Sequence, residues 1–152
     1  MFLTKQSIFL VFLCLKVLFK LQFVQILHTK RWFFDWTCVF LKEPHPNEIF
    51  AGAGDDIIYS GSGNDLINSG SGDDTLWLGG GDDLIVLQSG NGFDTIKNFQ
   101  LGLTTFDAGD SDQLSIVDGA NGSEISRGGD LLAVVSWTQA STLIDNLDMV
   151  FV

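Results

Sequence analysis

Residues 51–86 read Ala51-Gly-Ala-Gly-Asp-Asp-Ile-Ile-Tyr59, Ser60-Gly-Ser-Gly-Asn-Asp-Leu-Ile-Asn68, Ser69-Gly-Ser-Gly-Asp-Asp-Thr-Leu-Trp77 and Leu78-Gly-Gly-Gly-Asp-Asp-Leu-Ile-Val86. These four nonapeptides share Gly at places two and four, Asp at place six and an aliphatic residue at place eight. A fifth copy, Ser89-Gly-Asn-Gly-Phe-Asp-Thr-Ile-Lys97, follows the two-residue insertion Leu87-Gln88. A gapless period of this length predicts a parallel β-helix built from repeated turns and strands.

Each nonapeptide predicts one turn and one short strand. Side chains alternate along a strand, so we expect place eight to face inward. The residues at that place are Ile58, Ile67, Leu76, Ile85 and Ile96. Two repeats would make one coil of 18 residues, with repeats one, three and five on one flank and two and four on the other. Tyr59 and Trp77, at place nine one coil apart, are then expected to stack.

Composition divides the chain near residue 48. All 17 glycines lie between Gly52 and Gly129, whereas both cysteines, both histidines and both prolines lie before residue 49. Residues 1–48 carry six basic and three acidic side chains, and the remainder carries two and sixteen, which accounts for the net charge of −11. An acidic surface of this kind repels nucleic acid and anionic membrane and favours cations.

Several other readings of the repeats are weaker. A flexible acidic linker would be rich in Gly and Asp, but it has no reason to keep an aliphatic residue in phase over five copies. The Gly spacing matches neither a dinucleotide-binding motif nor a P-loop. An EF-hand over residues 107–118 fails because Asp112 stands where that turn needs Gly. The chain also lacks His-Glu-x-x-His and Gly-x-Ser-x-Gly, so we predict no catalysis within it.

The repeated residue types suit calcium. Glycine allows positive φ angles and tight turns with inward carbonyls, and it leaves no side chain between stacked turns. Calcium takes six to eight oxygen ligands from carboxylates and carbonyls. Stacked Gly-rich turns that each end in Asp would supply this mixture, so Ca²⁺ is the predicted cofactor.

The repeats resemble the repeats-in-toxin, or haemolysin-type calcium-binding, β-roll, whose consensus is Gly-Gly-x-Gly-x-Asp-x-aliphatic-x. The resemblance implies an all-β fold, a right-handed parallel β-solenoid of five repeats. It also implies that each ion is held between two turns 18 residues apart. One turn supplies the carbonyls of places two and four and its Asp, and the next supplies the carbonyls of places one and three and its Asp. At place one, however, this chain has Ala51, Ser60, Ser69 and Leu78 instead of Gly.

Carried over residue by residue, the resemblance implies three sites. The first comprises Gly52, Gly54, Asp56, Ser69, Ser71 and Asp74. The second comprises Gly61, Gly63, Asp65, Leu78, Gly80 and Asp83. The third comprises Gly70, Gly72, Asp74, Ser89, Asn91 and Asp94, with its spacing changed from 18 to 20 by the insertion. Leu78 is the largest departure at place one and weakens the second assignment.

Residues 1–48 form a hydrophobic, basic segment with three open interpretations: an export signal or membrane anchor over residues 8–27, a helix, or a segment translated from upstream of the true start. Lys16 and Lys20 interrupt the apolar run, and no small-x-small cleavage site follows it. We assign residues 49–99 to the calcium-binding β-roll and residues 100–152 to a C-terminal β cap. Within this cap, residues 129–137 and 142–152 are predicted strands.

The resemblance also implies a place of action. The last residues, Asp148-Met-Val-Phe-Val152, resemble the uncleaved signal read by type I export systems, so export machinery is a predicted partner and the location is extracellular. Our main hypothesis is a β-roll that folds on extracellular calcium after secretion. The alternative is the non-catalytic tail of a truncated secreted enzyme or toxin, because similar rolls follow proteases, lipases and polysaccharide-modifying enzymes.

Overall fold

The computed structural model describes residues 31–33, 39–40, 45–90, 92–109 and 113–152. Most of the regular structure in these ranges is β-strand. The strands are β1 (Arg31–Phe33), β2 (Val39–Phe40), β3 (Glu48–Ala53), β4 (Ile57–Tyr59), β5 (Leu66–Ser71), β6 (Asp74–Trp77), β7 (Asp83–Val86), β8 (Asp94–Lys97), β9 (Thr104–Asp107), β10 (Leu114–Asp118), β11 (Gly122–Arg127) and β12 (Asp130–Ser136). Two short helices follow, α1 (Ala140–Ile144) and α2 (Leu147–Val150).

Successive strands of the repeat segment alternate between two sheets. The parallel sheet has the order β1-β3-β5-β7-β9, and the mixed sheet has the order β10-β11-β12-β8-β6-β4-β2. Strands β12, β8, β6, β4 and β2 pair in parallel, whereas β10, β11 and β12 pair antiparallel. Repeats one, three and five therefore supply β4, β6 and β8 of one sheet, and repeats two and four supply β5 and β7 of the other, as predicted.

The core consists of two rows of stacked apolar side chains, one from each sheet. In the parallel sheet, Ile49 pairs with Ile67, and Ile85 pairs with Ile67 and Phe106. The corresponding row of the mixed sheet contains Ile58, Leu76, Ile96 and Val135. All eight side chains are fully buried. The predicted inward orientation of place eight is therefore confirmed. Burying one such side chain stabilises the fold by roughly 1.5–3 kcal/mol, so these two rows are a main source of its stability.

Place eight is not alone on the inner face. Strands β6, β7 and β8 each bury their first and third residues, so the Asp at place six shares that face with the aliphatic residue. Place one is buried as well, at Ala51, Ser60, Ser69 and Leu78. On the outer side, the rings of Tyr59 and Trp77 stack with centroids 6.0 Å apart and an interplanar angle of 5°, which confirms the predicted pair.

Strand pairing extends beyond both predicted limits of the β-roll. Strand β3 begins at Glu48, and β1 and β2 pair in parallel with β3 and β4. The predicted N-terminal helix is therefore wrong for residues 31–33 and 39–40, which are strands. Residues 8–27, the candidate signal or anchor, lie outside the described residues. Neither α1 nor α2 has the length and hydropathy of a membrane-spanning helix, and the described ranges contain no other candidate.

The C-terminal part covers one end of the stacked strands. Strand β9 adds to the parallel sheet beyond the fifth repeat, and Phe106 packs between Phe99 and Phe151 with ring centroids 5.9 and 5.7 Å away. The predicted strand at residues 142–152 is wrong, since α1 and α2 occupy most of it. Burial of Leu143 and Val150 on the inner faces of these helices explains the apolar pattern that resembled a strand.

Candidate metal centre

The turns that join the strands stack so closely that several of their positions accept only glycine. A Cβ on Gly70 or Gly72 would overlap the carbonyl group of Gly52 or Gly54 in the preceding turn on the same side. A Cβ on Gly79 or Gly81 would likewise overlap the carbonyl of Gly61 or Gly63. The carbonyls of places two and four therefore project toward the next turn, into space that a side chain would otherwise fill.

The Asp carboxylates at place six link one turn to the next through hydrogen bonds. The backbone N–H of Asp56 donates to Oδ1 of Asp74 at 2.7 Å, and that of Asp65 donates to Oδ1 of Asp83 at 3.1 Å. The Oδ2 atoms of Asp65 and Asp74 are buried and accept no hydrogen bond within the described structure. A buried carboxylate oxygen without a donor is costly unless a cation supplies the missing positive charge.

Burial perturbs the acidity of these carboxylates. Desolvation raises the pKa of Asp83 to about 7, against an opposing hydrogen bond from the Asp65 N–H and with help from the charges of Asp65 and Asp82. Desolvation also raises the pKa of Asp94 to about 7. The pKa values of Asp65 and Asp74 are raised for the same main reason. Without a cation, the folded chain therefore disfavours the ionised form of each of these groups.

The residues predicted for the first site come together. The carbonyls of Gly52 and Gly54 project toward the turn at Gly70 and Gly72. The Ser71 carbonyl, a predicted ligand, accepts a hydrogen bond from the Gly54 N–H at 2.8 Å. The carboxylates of Asp56 and Asp74 are both buried at the ends of these turns. One carbonyl oxygen has two lone pairs, so Ser71 keeps capacity for a metal ion.

The second site has the same arrangement with one additional competitor. The carbonyls of Gly61 and Gly63 project toward the turn at Gly79 and Gly81, and Gly80 accepts from the Gly63 N–H at 2.8 Å. Leu78 keeps its side chain in the hydrophobic core, which explains how a large residue fits at place one. Its carbonyl, however, accepts from the side-chain amide of Asn98 at 3.3 Å.

The third predicted set is only partly assembled. Asp94 pairs with Asp74 in the strand register, but both of its carboxylate oxygens accept from Oγ of Ser69, at 2.9 and 3.0 Å. The Asp74 N–H donates to the Phe93 carbonyl instead of to Asp94. Ser89 is exposed, and Asn91 lies outside the described residues. The two-residue insertion changes the spacing here from 18 to 20, and its Leu87 side chain is buried in the core.

Sequence reasoning missed two contributions to these turns. Place five forms a second series of links, in which the N–H groups of Asp73 and Asp82 donate to side-chain oxygens of Asp55 and Asn64 at 2.9 and 3.0 Å. In addition, Asn47 lies nine residues before Asp56 and occupies place six of an earlier turn. The combination of Asn47 with Ile49 at place eight was the available signal.

The donor set fits calcium. No group of three or more His, Cys, Asp and Glu side chains suited to a metal occurs within the described ranges, so backbone carbonyls must complete any site there. Every donor that the stacked turns offer is a carbonyl or carboxylate oxygen, and hard oxygen ligands select Ca²⁺ or Mg²⁺ over softer transition metals. Calcium suits backbone turns better, because magnesium requires near-ideal octahedral geometry and gives up its water reluctantly.

Comparison with known protein families agrees with this chemistry. The model of the RTX calcium-binding nonapeptide repeat matches residues 46–67 and 61–96, with four copies. The repeat segment carries RTX calcium-binding nonapeptide repeats. The match begins before the first predicted nonapeptide and so includes Asn47. Comparisons with curated proteins and with solved structures found no match for the chain.

The RTX repeat makes Ca²⁺ the ion of this segment, and such repeats are typical of secreted proteins. The ligand sets of the three sites remain predictions, and the geometry does not support all three equally. At the first and second sites, the glycine carbonyls of one turn project toward the next, and the Asp of that next turn accepts a hydrogen bond from the backbone of the first. At the third, Ser69 already satisfies Asp94.

Proposed function

We propose that the RTX segment is a right-handed β-roll that calcium orders outside the cell after export. The observation that carries this proposal is the arrangement at the first and second sites. There, glycine carbonyls project into the space between facing turns, and the place-six carboxylates of the same turns are buried. A calcium ion in that space would satisfy both kinds of oxygen at once.

Electrostatics makes this order dependent on calcium. In the absence of the ion, Asp74 is buried close to the charges of Asp55 and Asp73, and Asp83 close to those of Asp65 and Asp82. Like charges at short range in a buried site oppose folding. Calcium converts the same groups into ligands, so its binding free energy becomes folding free energy.

The calcium gradient across a cell envelope then determines where the roll folds. Extracellular calcium modules commonly bind at about 10⁻⁴ to 10⁻³ M, far above the calcium concentration inside cells. The calcium-dependent turns would stay largely unfolded before export and fold by mass action afterwards. In this proposal residues 100–152 cap the roll and carry a type I export signal at Asp148–Val152. In the folded chain, Met149 and Val152 are exposed, whereas Val150 and Phe151 are buried.

The tail of a secreted enzyme or toxin stays the alternative hypothesis. The RTX family assigns calcium binding to this segment and gives it no catalytic residue, so we propose that any enzymatic activity would lie outside the described repeats. Reading the coding frame upstream of Met1 distinguishes a tail from a free-standing protein. An upstream catalytic domain in frame would support the alternative and leave calcium binding unchanged.

Circular dichroism and isothermal titration with CaCl₂ test the proposal on the full chain, with MgCl₂ as the ion control. We expect β structure to increase steeply with calcium and little with magnesium. The matched variants are Asp83→Asn, which removes a buried carboxylate of the second site, and Asp82→Asn, which removes the exposed neighbouring charge. Asp83→Asn should lose one calcium ion per chain, and Asp82→Asn should keep the wild-type number. A β signal already complete in chelator would refute the calcium-dependent folding.

A further inference from the structure

The turn before the first nonapeptide has the pattern of a repeat. His45 stands nine residues before Gly54, Asn47 nine before Asp56, and Ile49 nine before Ile58. Ile49 is fully buried and pairs with Ile67 in the inner row of the parallel sheet. Residues 45–49 therefore occupy places four to eight of an additional turn before the first nonapeptide, with Asn in place of the usual Asp. In the parallel sheet this turn leads into β3, and β1 lies beyond it.

This additional turn reproduces the geometry of the proposed calcium sites. The Asn47 N–H donates to Oδ1 of Asp65 at 2.9 Å, as the Asp56 N–H does to Asp74 and the Asp65 N–H does to Asp83. The His45 carbonyl projects toward Gly63, where a Cβ would lie 2.6 Å from its oxygen. A place-four carbonyl and a place-six carboxylate thus face each other here too.

The difference lies in what joins the two oxygens. The side-chain amide nitrogen of Asn47 donates to the His45 carbonyl and to Oδ1 of Asp65, both at 2.8 Å. Asn47 is 5% exposed and Asp65 is 1% exposed, so these bonds lie within the fold. An amide NH₂ group has two N–H donors, so it can donate to both oxygens at once. It therefore contacts the same two classes of oxygen that calcium would contact in the later turns.

We propose that the Asn47 amide takes the place of a calcium ion between the turns that lead into β3 and β5 of the parallel sheet. This layer of the RTX segment is then held together without calcium, and the calcium-dependent turns assemble on it. The inference rests on calcium as the ion of the later turns, and it adds a position in the same series that takes no ion.

Asn47 also positions Asp65 for the second site. Both hydrogen bonds that Asn47 donates to Asp65 end at Oδ1, and Oδ2 is buried without a hydrogen bond from any described residue. Oδ2 is therefore the oxygen of Asp65 that is left for a metal ion. In this role Asn47 is a positioning residue, because it acts on the ion through Asp65.

The decisive variant is Asn47→Asp, which restores the repeat consensus at place six. It replaces the two donors with a carboxylate next to Oδ1 of Asp65, so this turn should become calcium-dependent. Isothermal titration of the full chain with CaCl₂ should give one more bound ion per chain than the wild type. In chelator, the thermal midpoint should fall by at least about 4 °C. Asn68→Asp, which adds the same charge at place nine away from the buried row, is the matched control and should change neither value.

Asn47→Ala tests the stability of the Asn47 layer separately from the number of calcium ions bound. It removes the amide without adding charge, so we expect a lower thermal midpoint in chelator, an unchanged number of calcium ions and weaker binding at the second site. If the Asn47→Asp chain binds no additional calcium ion, whether folded or not, the Asn47 amide does not take the place of an ion. If Asn47→Ala has the same thermal midpoint as the wild type in chelator, Asn47 does not hold this layer together without calcium. If the wild type itself binds no calcium, the proposed function fails. The thermal midpoints in chelator still measure the contribution of Asn47 to stability.

Discussion

Replacement of Gly72 by alanine would test the close stacking of turns from which the first calcium site is built. An added Cβ would lie 2.6 Å from the carbonyl carbon of Gly54 and 3.1 Å from the Asp55 nitrogen. Ordinary contacts at Cβ begin near 3.4 Å. The two turns would therefore have to separate by about 0.8 Å, whereas calcium–oxygen distances vary only over about 2.3–2.6 Å. Gly72→Ala should consequently lose the first calcium site.

Gly54→Ala is the matched control for this substitution. Both glycines stand at place four on the same side of the roll, with φ of +115° at Gly54 and +133° at Gly72. A Cβ on Gly54, however, meets no atom of the described structure within 4 Å. Each alanine should cost roughly 1–3 kcal/mol for the unfavourable φ. Gly72→Ala should cost about 1–3 kcal/mol more for the overlap.

The two contributions are measured by different assays. Chemical denaturation in saturating calcium gives the free energy of unfolding of both variants, and titration calorimetry with CaCl₂ gives the number of ions bound. Gly54→Ala should keep the wild-type number, because its carbonyl is unchanged. Equal stability of the two variants, together with an equal number of bound ions, would show that the facing turns are not packed closely enough to hold calcium between them.

Two further predictions concern the buried rows. In chelator, the free energy of unfolding should fall as pH rises from about 4 to 7, because burial raises the pKa of Asp83 and Asp94 from 3.8 to about 7 in the folded chain. Folding is favoured while both groups hold a proton, and that stabilisation is lost as pH rises through the folded pKa. Thermal melts across this range check the sign, and a midpoint that rises with pH would contradict it. Ile67→Ala should lower the free energy of unfolding by about 2–5 kcal/mol, since Ile67 is fully buried between Ile49 and Ile85. Chemical denaturation measures this loss, and calcium stoichiometry should not change. Leu66→Ala, at a half-buried neighbour, is the control, and an equal loss there would show that the inner row has no special weight.

The period itself predicted much of the site. Place eight, the alternation of repeats between two sheets, and the facing pairs Asp56 with Asp74 and Asp65 with Asp83 all follow from counting nine and 18 along the chain. These features are local or strictly periodic, so the spacing of residues in the sequence is also their spacing in the fold. The period did not reveal that place six faces inward together with place eight, although strand alternation implies it.

Features outside the strict period required the tertiary structure. Ser69 donates to Asp94 after the two-residue insertion, and a change of two residues in spacing does not predict which side chain will contact that carboxylate. Helices α1 and α2 bury Leu143 and Val150, and Phe151, which follows α2, packs against Phe106 of the core. A short apolar run fits either a strand or a helix until the surface that it covers is known.

The sequence by itself determined the repeat, its calcium-binding chemistry and the two facing Asp pairs, because a nine-residue period converts position along the chain directly into position in the stack. Only the tertiary structure decided how the turns outside the strict period are linked to that stack. At Asn47 a single amide nitrogen bridges the His45 carbonyl and the Asp65 carboxylate. That contact depends on two turns 18 residues apart meeting in space, and no local preference of an isolated Asn could specify it.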